Sequence, residues 1–334
     1  MTVRKEWLGL TMESPLEPEM PICDAHHHLW DRPDDRYLLE DLLEDIGGGH
    51  NIVGTVFIEC RARYRTDGPE AMRPLGEMEF VRDTVAEAKR RGRPGVAAGI
   101  IGHVDLNLGD AAAEVLEAHL ALNPDRFRGI RHITAWDDSP NIHLPFPAHK
   151  GMMLEPAFRA GFACLQRYGL SFDSWLYHPQ LPELGDLARA FPETTIICDH
   201  VGGTLLVGPY ADRREEALGA WRRSMSELAE CPNVVVKLGG IGMMIYGFDW
   251  PKQPAPPDSA SLAQDMAPFY LWCLEKFGVE RCIFESNFPV DKRSYSYTVL
   301  WNAFKRLSAD FSPAERRALF HDNAVRVYRL KDNA

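Results

Sequence analysis

The segment TTIICDHVGG, residues 194–203, contains the pattern that decides the fold. A continuous apolar run ends in polar residues and is followed at once by a glycine pair typical of a tight turn. Continuous apolar runs of this kind indicate parallel strands that are buried on both faces. Eight short apolar runs recur along the chain, at residues 21–23, 52–58, 96–101, 127–133, 170–176, 194–198, 234–238 and 282–284.

Helical patterns fill most of the gaps between these runs. They cover residues 76–91, 110–122, 156–168, 181–191, 212–229, 261–277 and 295–307. Alternation of strands and helices at this spacing favours parallel βαβ units, and eight of them predict an α/β fold, a single-domain (β/α)8 TIM barrel. We assign residues 1–20 to an N-terminal extension and residues 21–334 to the barrel.

The predicted loops are unequal in length. Connections that leave strands are often long, as at 60–75, 136–151 and 239–259, whereas those that lead into strands are short. Long loops therefore gather at the C-terminal face of the strands, where barrel enzymes carry their chemistry. The loop at 247–257 is rich in proline and aromatic residues, which indicates either an ordered lid or a subunit contact.

Composition excludes several classes of protein. The 334 residues carry a net charge of −11 and no block of Lys or Arg, which argues against nucleic-acid binding. No apolar window is long enough to span a membrane, and the first 20 residues lack a signal-peptide core. Seven scattered cysteines without a CxxC pair indicate reduced thiols and a cytoplasmic protein. We expect a homodimer that acts on a small-molecule substrate.

The first apolar run leads into Asp24-Ala25-His26-His27-His28. Side chains alternate between the faces of a strand, so His26 and His28 point the same way and His27 points the opposite way. Two imidazoles on one face are half of a metal site or the start of an acid/base site.

Other polar residues stand at the ends of later runs. A lone residue of this kind is more often packed or exposed than functional, but a set at one end of a barrel has little structural use. The set comprises Arg131 and His132 in the fourth run, His178 after the fifth, His200 after the sixth, Lys237 in the seventh and Asn287 after the eighth.

Five motifs together make the chain resemble the amidohydrolase superfamily. They are DAHHHLWD (24–31), FRGIRH (127–132), His178-Pro179, CDHVGG (198–203) and FESNFPVD (284–291). The resemblance extends from about residue 21 to 330. It is specifically to the TIM-barrel hydrolase branch that includes sugar-lactone and 2-pyrone-4,6-dicarboxylate lactonases, which is related to metal-dependent decarboxylases.

The resemblance implies roles for several residues. His26, His28 and His178 match positions that bind a divalent metal, for which zinc is the expected ion, and His200 matches a position that contacts substrate or moves a proton. Relatives usually have Gly-Ser-Asp-Trp-Pro after the eighth strand, with the Asp as metal ligand and base. This chain has Asn287 at that position.

Asparagine accepts no proton at neutral pH and is a weak metal ligand. The resemblance therefore does not identify the residue that acts as general base. A three-histidine zinc site could activate water unaided, or catalysis could proceed without metal. Alternatively Glu59, Glu285 or Asp291 replaces the missing carboxylate. From the sequence we expect Glu285 to face away from the neighbours of Asn287, and Asp291 to curl back.

The predicted activity is hydrolysis of a lactone or related carboxylic ester of a small, anionic organic acid or sugar acid. We assign catalytic roles to His200, Asn287, Asp291 and Lys237. Candidate substrate-binding residues are Arg131, His132, Arg61, Trp136 and Tyr177. The alternatives are a metal-dependent decarboxylase of an aromatic or unsaturated acid, and a binding protein on a degenerate barrel.

Overall fold

A computed structural model describes residues 3–33 and 35–331. Eight strands form one sheet in which every neighbouring ladder is parallel and strand order follows chain order. The strands are β1 (Pro21–His27), β2 (Asn51–Ile58), β3 (Gly99–Gly102), β4 (Phe127–Ile133), β5 (Ser171–Trp175), β6 (Ile196–Cys198), β7 (Val234–Leu238) and β8 (Cys282–Phe284). This architecture confirms the predicted (β/α)8 barrel.

The segment after β8 closes the barrel against β1. The Asn287 amide donates to the carbonyl of His26 at 2.9 Å, and the His28 amide donates to the carbonyl of Phe288 at 2.8 Å. The buried carboxylate of Asp24 accepts from the amide of Ser286 at 2.9 Å and from its hydroxyl at 2.6 Å. Asp24 therefore holds the seam between the first and last strands, because its oxygens bind groups on the opposite side of that seam.

Each strand is followed by a helix. The helices are α1 (Leu39–Ile46), α2 (Leu75–Arg90), α3 (Ala112–Leu122), α4 (Pro156–Arg167), α5 (Leu181–Ala190), α6 (Arg214–Ala229), α7 (Ser259–Phe277) and α8 (Tyr297–Leu307). Sequence patterning missed α1, which has only eight residues, although Leu39, Leu42 and Ile46 on one face are buried. A two-stranded ribbon, Trp30–Arg32 with Asp35–Tyr37, precedes it.

Strand boundaries differ from the prediction at two places. β1 runs four residues further than expected, to His27. β3 begins at Gly99 rather than at residue 96, because Ala97 has a left-handed backbone (φ 46°) that no regular strand adopts. The long connections do follow the strands, as at 59–74, 134–155 and 239–258, so the predicted crowding of loops at the C-terminal face is confirmed.

Apolar side chains form two main layers. The larger core lies between the sheet and the surrounding helices. A second cluster fills the lower interior of the barrel, where Ile197, Val235 and Ile283 meet Tyr328 from the C-terminal segment. That segment contains the short helices Pro313–Arg317 and Asn323–Val327. We call this apolar cluster around Tyr328 the plug; it fills the lower end of the barrel, and polar groups occupy the interior above it.

Residues 3–20 pack on the loop that leads into α7. The Trp7 indole donates to the carbonyl of Gln253 at 2.9 Å, and the Thr11 hydroxyl donates to that of Pro256 at 2.8 Å. The division into an extension and a barrel, the homodimer and the cytoplasmic location stay predictions. Among the described residues, no helix is long and apolar enough to cross a membrane. All seven cysteines are free.

Candidate active site

A fully buried lysine lies at the centre of the polar layer above the plug. Lys237 on β7 donates to Asp173 on β5 at 2.6 Å, and its Nζ lies 3.1 Å from an Asp199 oxygen. Burial alone would lower the pKa of Lys237, but the nearby carboxylates of Asp173 and Asp199 raise it to about 12. The side chain is therefore a permanent cation that holds three strands together from inside.

A chain of contacts leads from this lysine through two histidines. Nζ of Lys237 lies 3.2 Å from Nδ1 of His26, and Nε2 of His26 lies 3.2 Å from Nε2 of His28. Nδ1 of His28 lies 2.8 Å from the carbonyl of Ile58, so this nitrogen carries the proton. His27 faces away and contacts the Thr55 hydroxyl at 3.0 Å.

Both paired histidines are neutral. Burial lowers the pKa of His26 and of His28 well below the usual range. The positive charges of Lys237, beside His26, and Arg131, beside His28, lower these pKa values further. A neutral imidazole is the form that binds a metal ion or accepts a proton.

Glu285, the first residue after β8, lies between two histidines. Its Oε1 is 2.6 Å from Nδ1 of His200, and its Oε2 is 2.8 Å from Nδ1 of His26. Burial raises the pKa of Glu285 to about 8 and lowers that of His200 to about 3. Ligand atoms of these three residues lie within 4.8 Å of one another.

Two glycines after β7 make room for this arrangement. A Cβ at Gly239 would collide with the side chain of Glu285, and one at Gly240 would collide with the ring of His200. Gly240 also has a positive φ of 73°. The Gly-Gly pair is therefore required by the close approach of the carboxylate and the imidazole.

Arg131 on β4 extends into the same layer. Its Nε donates to Oε1 of Glu59 at 3.0 Å, its Nη2 donates to the Glu59 carbonyl, and its Nη1 lies 3.4 Å from Nε2 of His26. Two of the three guanidinium nitrogens are thus engaged by Glu59. A bidentate clamp on a substrate carboxylate, as predicted from the sequence, would have to displace these bonds.

A cavity of about 640 Å³ opens above these groups. Its floor is formed by buried side chains, including His28, Arg131, His200 and Asn287. Trp175 and Tyr177 line one wall, and the Tyr177 hydroxyl donates to the carbonyl of His143. The volume is in the range of pockets that enclose small organic ligands.

The structure does not bring His178 to the histidine pair. β5 ends at Trp175, and residues 178–180 form a helical turn instead of continuing the strand. Nδ1 of His178 accepts from the amide of Leu205 at 3.2 Å, and its ring packs against Tyr210. The predicted three-histidine set is thus reduced to His26 and His28.

Asn287 and Asp291 are bonded to each other. Nδ2 of Asn287 donates to Oδ1 of Asp291 at 2.9 Å, and Oδ2 accepts from the amide of Gly242 and the hydroxyl of Tyr295. Burial raises the pKa of Asp291 to about 7, although these donors lower it. Asn287 lines the cavity, whereas Asp291 lies behind it with both oxygens in use. Asp291 is therefore placed to hold Asn287 and not to reach a substrate.

Three predicted substrate-binding residues lie outside the cavity. His132 follows Arg131 on the strand and faces outward, where its ring packs against His103 and Phe158. Trp136 lines a separate cavity of about 440 Å³. Arg61 covers the ring of Phe146, with its guanidinium carbon 3.9 Å from the ring centre, so it supports the cavity wall from behind.

Sequence reasoning missed Asp173 and Asp199 and misjudged Glu285. Strand alternation carries the signal for all three. Ile197 and Ile283 face the barrel interior, so the residues two positions later, Asp199 and Glu285, face inward as well. Asp173 lies beside inward-facing Arg131 in the β4–β5 register.

Comparisons with known proteins bear on the family and the fold. The amidohydrolase family matches residues 23–330. The chain is 33% identical to the uncharacterized protein y4mH of Sinorhizobium fredii, over 93% of this chain and 99% of that protein. It is 26% identical to the L-fucono-1,5-lactonase of Burkholderia multivorans, over 93% of this chain and 97% of that enzyme.

The fold also matches a solved structure. A crystal structure of an amidohydrolase from Burkholderia multivorans with bound zinc superposes with a TM-score of 0.71 at 23% identity, covering 93% of this chain and 99% of that one. The resemblance predicted from the five motifs is confirmed, because the family match extends over nearly the whole barrel. The chain belongs to the amidohydrolase family.

Proposed function

We propose that this protein hydrolyses a lactone or a related carboxylic ester at the floor of the 640 Å³ cavity. The observation that carries the proposal is the hydrogen bond between Glu285 and His200, 2.6 Å long, beside the buried cation Arg131. A carboxylate-oriented imidazole next to a fixed positive donor is the set that water attack on a carbonyl requires. Similarity to a relative named as a lactonase supports the same reaction.

His200 acts as the general base. Because Nδ1 is bonded to Glu285, Nε2 is the nitrogen left for a water molecule. Nε2 takes a proton from water as the oxygen attacks the carbonyl carbon. It then returns the proton to the ring oxygen as the carbon–oxygen bond of the lactone breaks, which yields a hydroxy acid.

Arg131 stabilises the charge that develops on the carbonyl oxygen. Glu59 engages Nε and Nη2, whereas Nη1 contacts Nε2 of His26 at 3.4 Å with one of its two N–H groups, which leaves the other available as a single donor. A charge-assisted hydrogen bond to an oxyanion in a buried site strengthens as the charge forms, which accelerates the reaction. Lys237 is bonded to carboxylates below the floor, and Oε2 of Glu285, 2.8 Å from Nδ1 of His26, orients that ring.

We also propose that His26 and His28 can hold a divalent metal ion, with zinc the best match. Two nitrogen ligands on tetrahedral zinc lie about 3.4 Å apart, and the two Nε2 atoms are 3.2 Å apart. The carbonyl of Ile58 fixes the proton of His28 on Nδ1, which leaves Nε2 free for a metal. Carboxyl oxygens that could balance the charge of the ion lie close by, at 2.8 Å (Glu285) and 3.8 Å (Asp199) from Nδ1 of His26.

A bound zinc ion would polarise the carbonyl group and lower the pKa of bound water. The protein's own residues would have the same tasks in its presence. His200 and Glu285 are bonded to each other, which keeps them for proton transfer.

Acid release during hydrolysis of a lactone panel tests the proposal. The wild-type protein should release about one proton per lactone opened, and His200→Asn should lose this activity while keeping its fold. A parallel assay for CO₂ from carboxylated aromatic acids covers the decarboxylase alternative. CO₂ release without any lactone opening would overturn the proposed function.

A further inference from the structure

The cavity has two chemically different ends. Its buried floor carries the histidines, Arg131 and Asn287. Toward the solvent, three loops contribute apolar side chains, of which all but the buried Ile142 are partly buried or exposed. We call this set the apolar rim; it comprises Ile142 and Phe146 from the β4 loop, Val207 from the β6 loop, and Met243, Met244 and Ile245 from the β7 loop.

Packing and a hydrogen bond between two loops hold the apolar rim in place. Most of its side chains pack around Ile133, Trp175, Tyr177 and Leu205 in a small cluster beside the cavity, and Met243 and Ile245 also contact the main core. The Leu206 amide donates to the carbonyl of Ile245 at 2.8 Å, which ties the β6 and β7 loops together. Arg61 supports Phe146 from behind. The apolar side chains are therefore held in place at the cavity by packing beneath them.

The volume of the cavity and the chemistry of the apolar rim both indicate which kind of ligand group contacts the rim. A cavity of ~150 Å³ suffices for a six-membered ring, so a bare lactone at the floor would leave most of the 640 Å³ empty. The six side chains of the apolar rim carry no oxygen or nitrogen, so partners for the hydroxyl groups of a sugar would have to come from other lining residues, such as Asn141, His143 and Arg293. Met244 is 57% exposed, so an apolar group that covered it would remove apolar surface from water and stabilise the complex.

We infer that the apolar rim is a subsite for an apolar substituent on the substrate. The inference rests on the proposed function and narrows it. The substrate class is a lactone whose ring sits at the floor near His200 and whose alkyl or aryl chain extends along the apolar rim. The Met243–Ile245 segment and Phe146 then determine specificity through buried area, since burial of each methylene stabilises the complex.

Hydrolysis of γ-alkyl-γ-butyrolactones of increasing chain length tests the inference. We expect kcat/KM to rise about threefold to fourfold per methylene over the first few carbons. Met244→Gln and Val207→Thr should flatten this dependence. Leu154→Gln, a matched change at an apolar residue that is 48% exposed and outside the cavity, should leave it unchanged. A flat dependence in the wild-type protein, or faster hydrolysis of a polyhydroxylated lactone, would overturn the inference.

Binding without turnover separates this inference from the proposed function. Calorimetric titration with sodium alkanoates of increasing length measures the subsite alone. If no lactone is opened but affinity rises with chain length and Met244→Gln abolishes the rise, the subsite stands and the proposed function fails. If lactones are opened with no chain-length effect in either assay, the function stands and the subsite is refuted.

Discussion

Oε1 of Glu285 lies 2.6 Å from Nδ1 of His200, although the two residues are 85 positions apart in the chain. The contact joins the exits of β6 and β8 across the barrel mouth. It supplies the carboxylate that Asn287 lacks, two residues earlier than in the pattern of relatives. The site therefore retains a carboxylate–imidazole pair despite the change at position 287.

The first prediction concerns this pair. Glu285→Gln removes the carboxyl group that orients His200 and that, once ionised, stabilises the protonated imidazole during the reaction. Because an oriented general base contributes typically 10²–10⁴-fold, we expect kcat to fall by about 10²-fold or more with a smaller change in KM. Steady-state kinetics on the best lactone of the panel checks this.

The double variant gives the control. If Glu285 acts through His200, then Glu285→Gln combined with His200→Asn should be little worse than His200→Asn alone. Additive losses would mean that the carboxylate acts independently of the imidazole.

Strand alternation explains what could be predicted from the sequence. Within β1 it correctly separates His27 from the His26 and His28 pair, since the direction of a strand side chain is a local property. The eight apolar runs likewise gave the barrel and its order, because each buried strand must be apolar on both faces.

The strand exits were harder to predict. His200 and Asn287 both have a positive φ, 54° and 55°, so the alternation ends at these residues and their directions depend on distant contacts. Asn287 turns toward Asp291, and His200 turns toward Glu285. His178 was expected at the barrel mouth because it follows the fifth apolar run, and its role as a metal ligand came from the resemblance, but the turn that follows Trp175 redirects it.

The second prediction concerns Asn287→Asp, a change toward the pattern of relatives. In this protein it would place a second carboxylate 2.9 Å from Oδ1 of Asp291. Like charges at this distance, and the lost hydrogen bond, should destabilise the fold by about 1–3 kcal/mol at pH 8. Thermal unfolding should show a Tm lower by several degrees.

Exchange of the two residues is the matched control. Asn287→Asp combined with Asp291→Asn restores one amide and one carboxylate, so part of the lost Tm should return. A single Asn287→Asp variant with unchanged Tm and higher activity would contradict the assignment of Asp291 as a structural partner.

The third prediction concerns zinc. Protein purified without chelator should contain about one equivalent of zinc per chain, and His28→Asn should remove most of it because that imidazole is one of the two proposed ligands. Elemental analysis checks both statements. His178→Asn is the matched control, since the structure places this histidine against Tyr210.

The same measurement on His200→Asn locates the ion. Retention of zinc in this variant places the metal between His26 and His28, as proposed. Loss of zinc in His200→Asn together with retention in His28→Asn would place the metal at the opposite edge of His26, beside Glu285.

The fourth prediction concerns Arg131. Arg131→Ala removes the proposed donor to the oxyanion, and loss of a charge-assisted hydrogen bond of about 1.5–3 kcal/mol should lower kcat/KM by about 10- to 100-fold. Millimolar guanidinium should restore part of the activity, because a free guanidinium ion can occupy the vacated site between Glu59 and His26. Guanidinium should restore activity and sodium ions should not, because only guanidinium replaces the missing side-chain group. A variant that is inactive and equally unresponsive to guanidinium and sodium ions would argue for a purely structural role.

The last prediction concerns stability in acid. His119 on α3 is buried, its Nε2 lies 3.0 Å from the carbonyl of His103, and its ring stacks on Phe127. Burial lowers the pKa of His119 from 6.5 to about 4. The unfolded chain thus binds a proton between pH 6.5 and 4 that the folded protein does not, so the free energy of unfolding falls as pH falls through this window.

The size of the effect follows from the two pKa values. Between pH 7.5 and 5 this single residue should remove about 2 kcal/mol of the free energy of unfolding. His119→Gln keeps a donor for the His103 carbonyl, and His119→Phe keeps the stacking on Phe127. Each substitution changes the free energy of unfolding by its own amount, which does not depend on pH. Between pH 7.5 and 5, however, the free energy of unfolding of both variants should fall by about 2 kcal/mol less than that of the wild-type protein. Urea unfolding at several pH values measures the difference, and parallel curves for all three proteins would show that His119 does not titrate in this way.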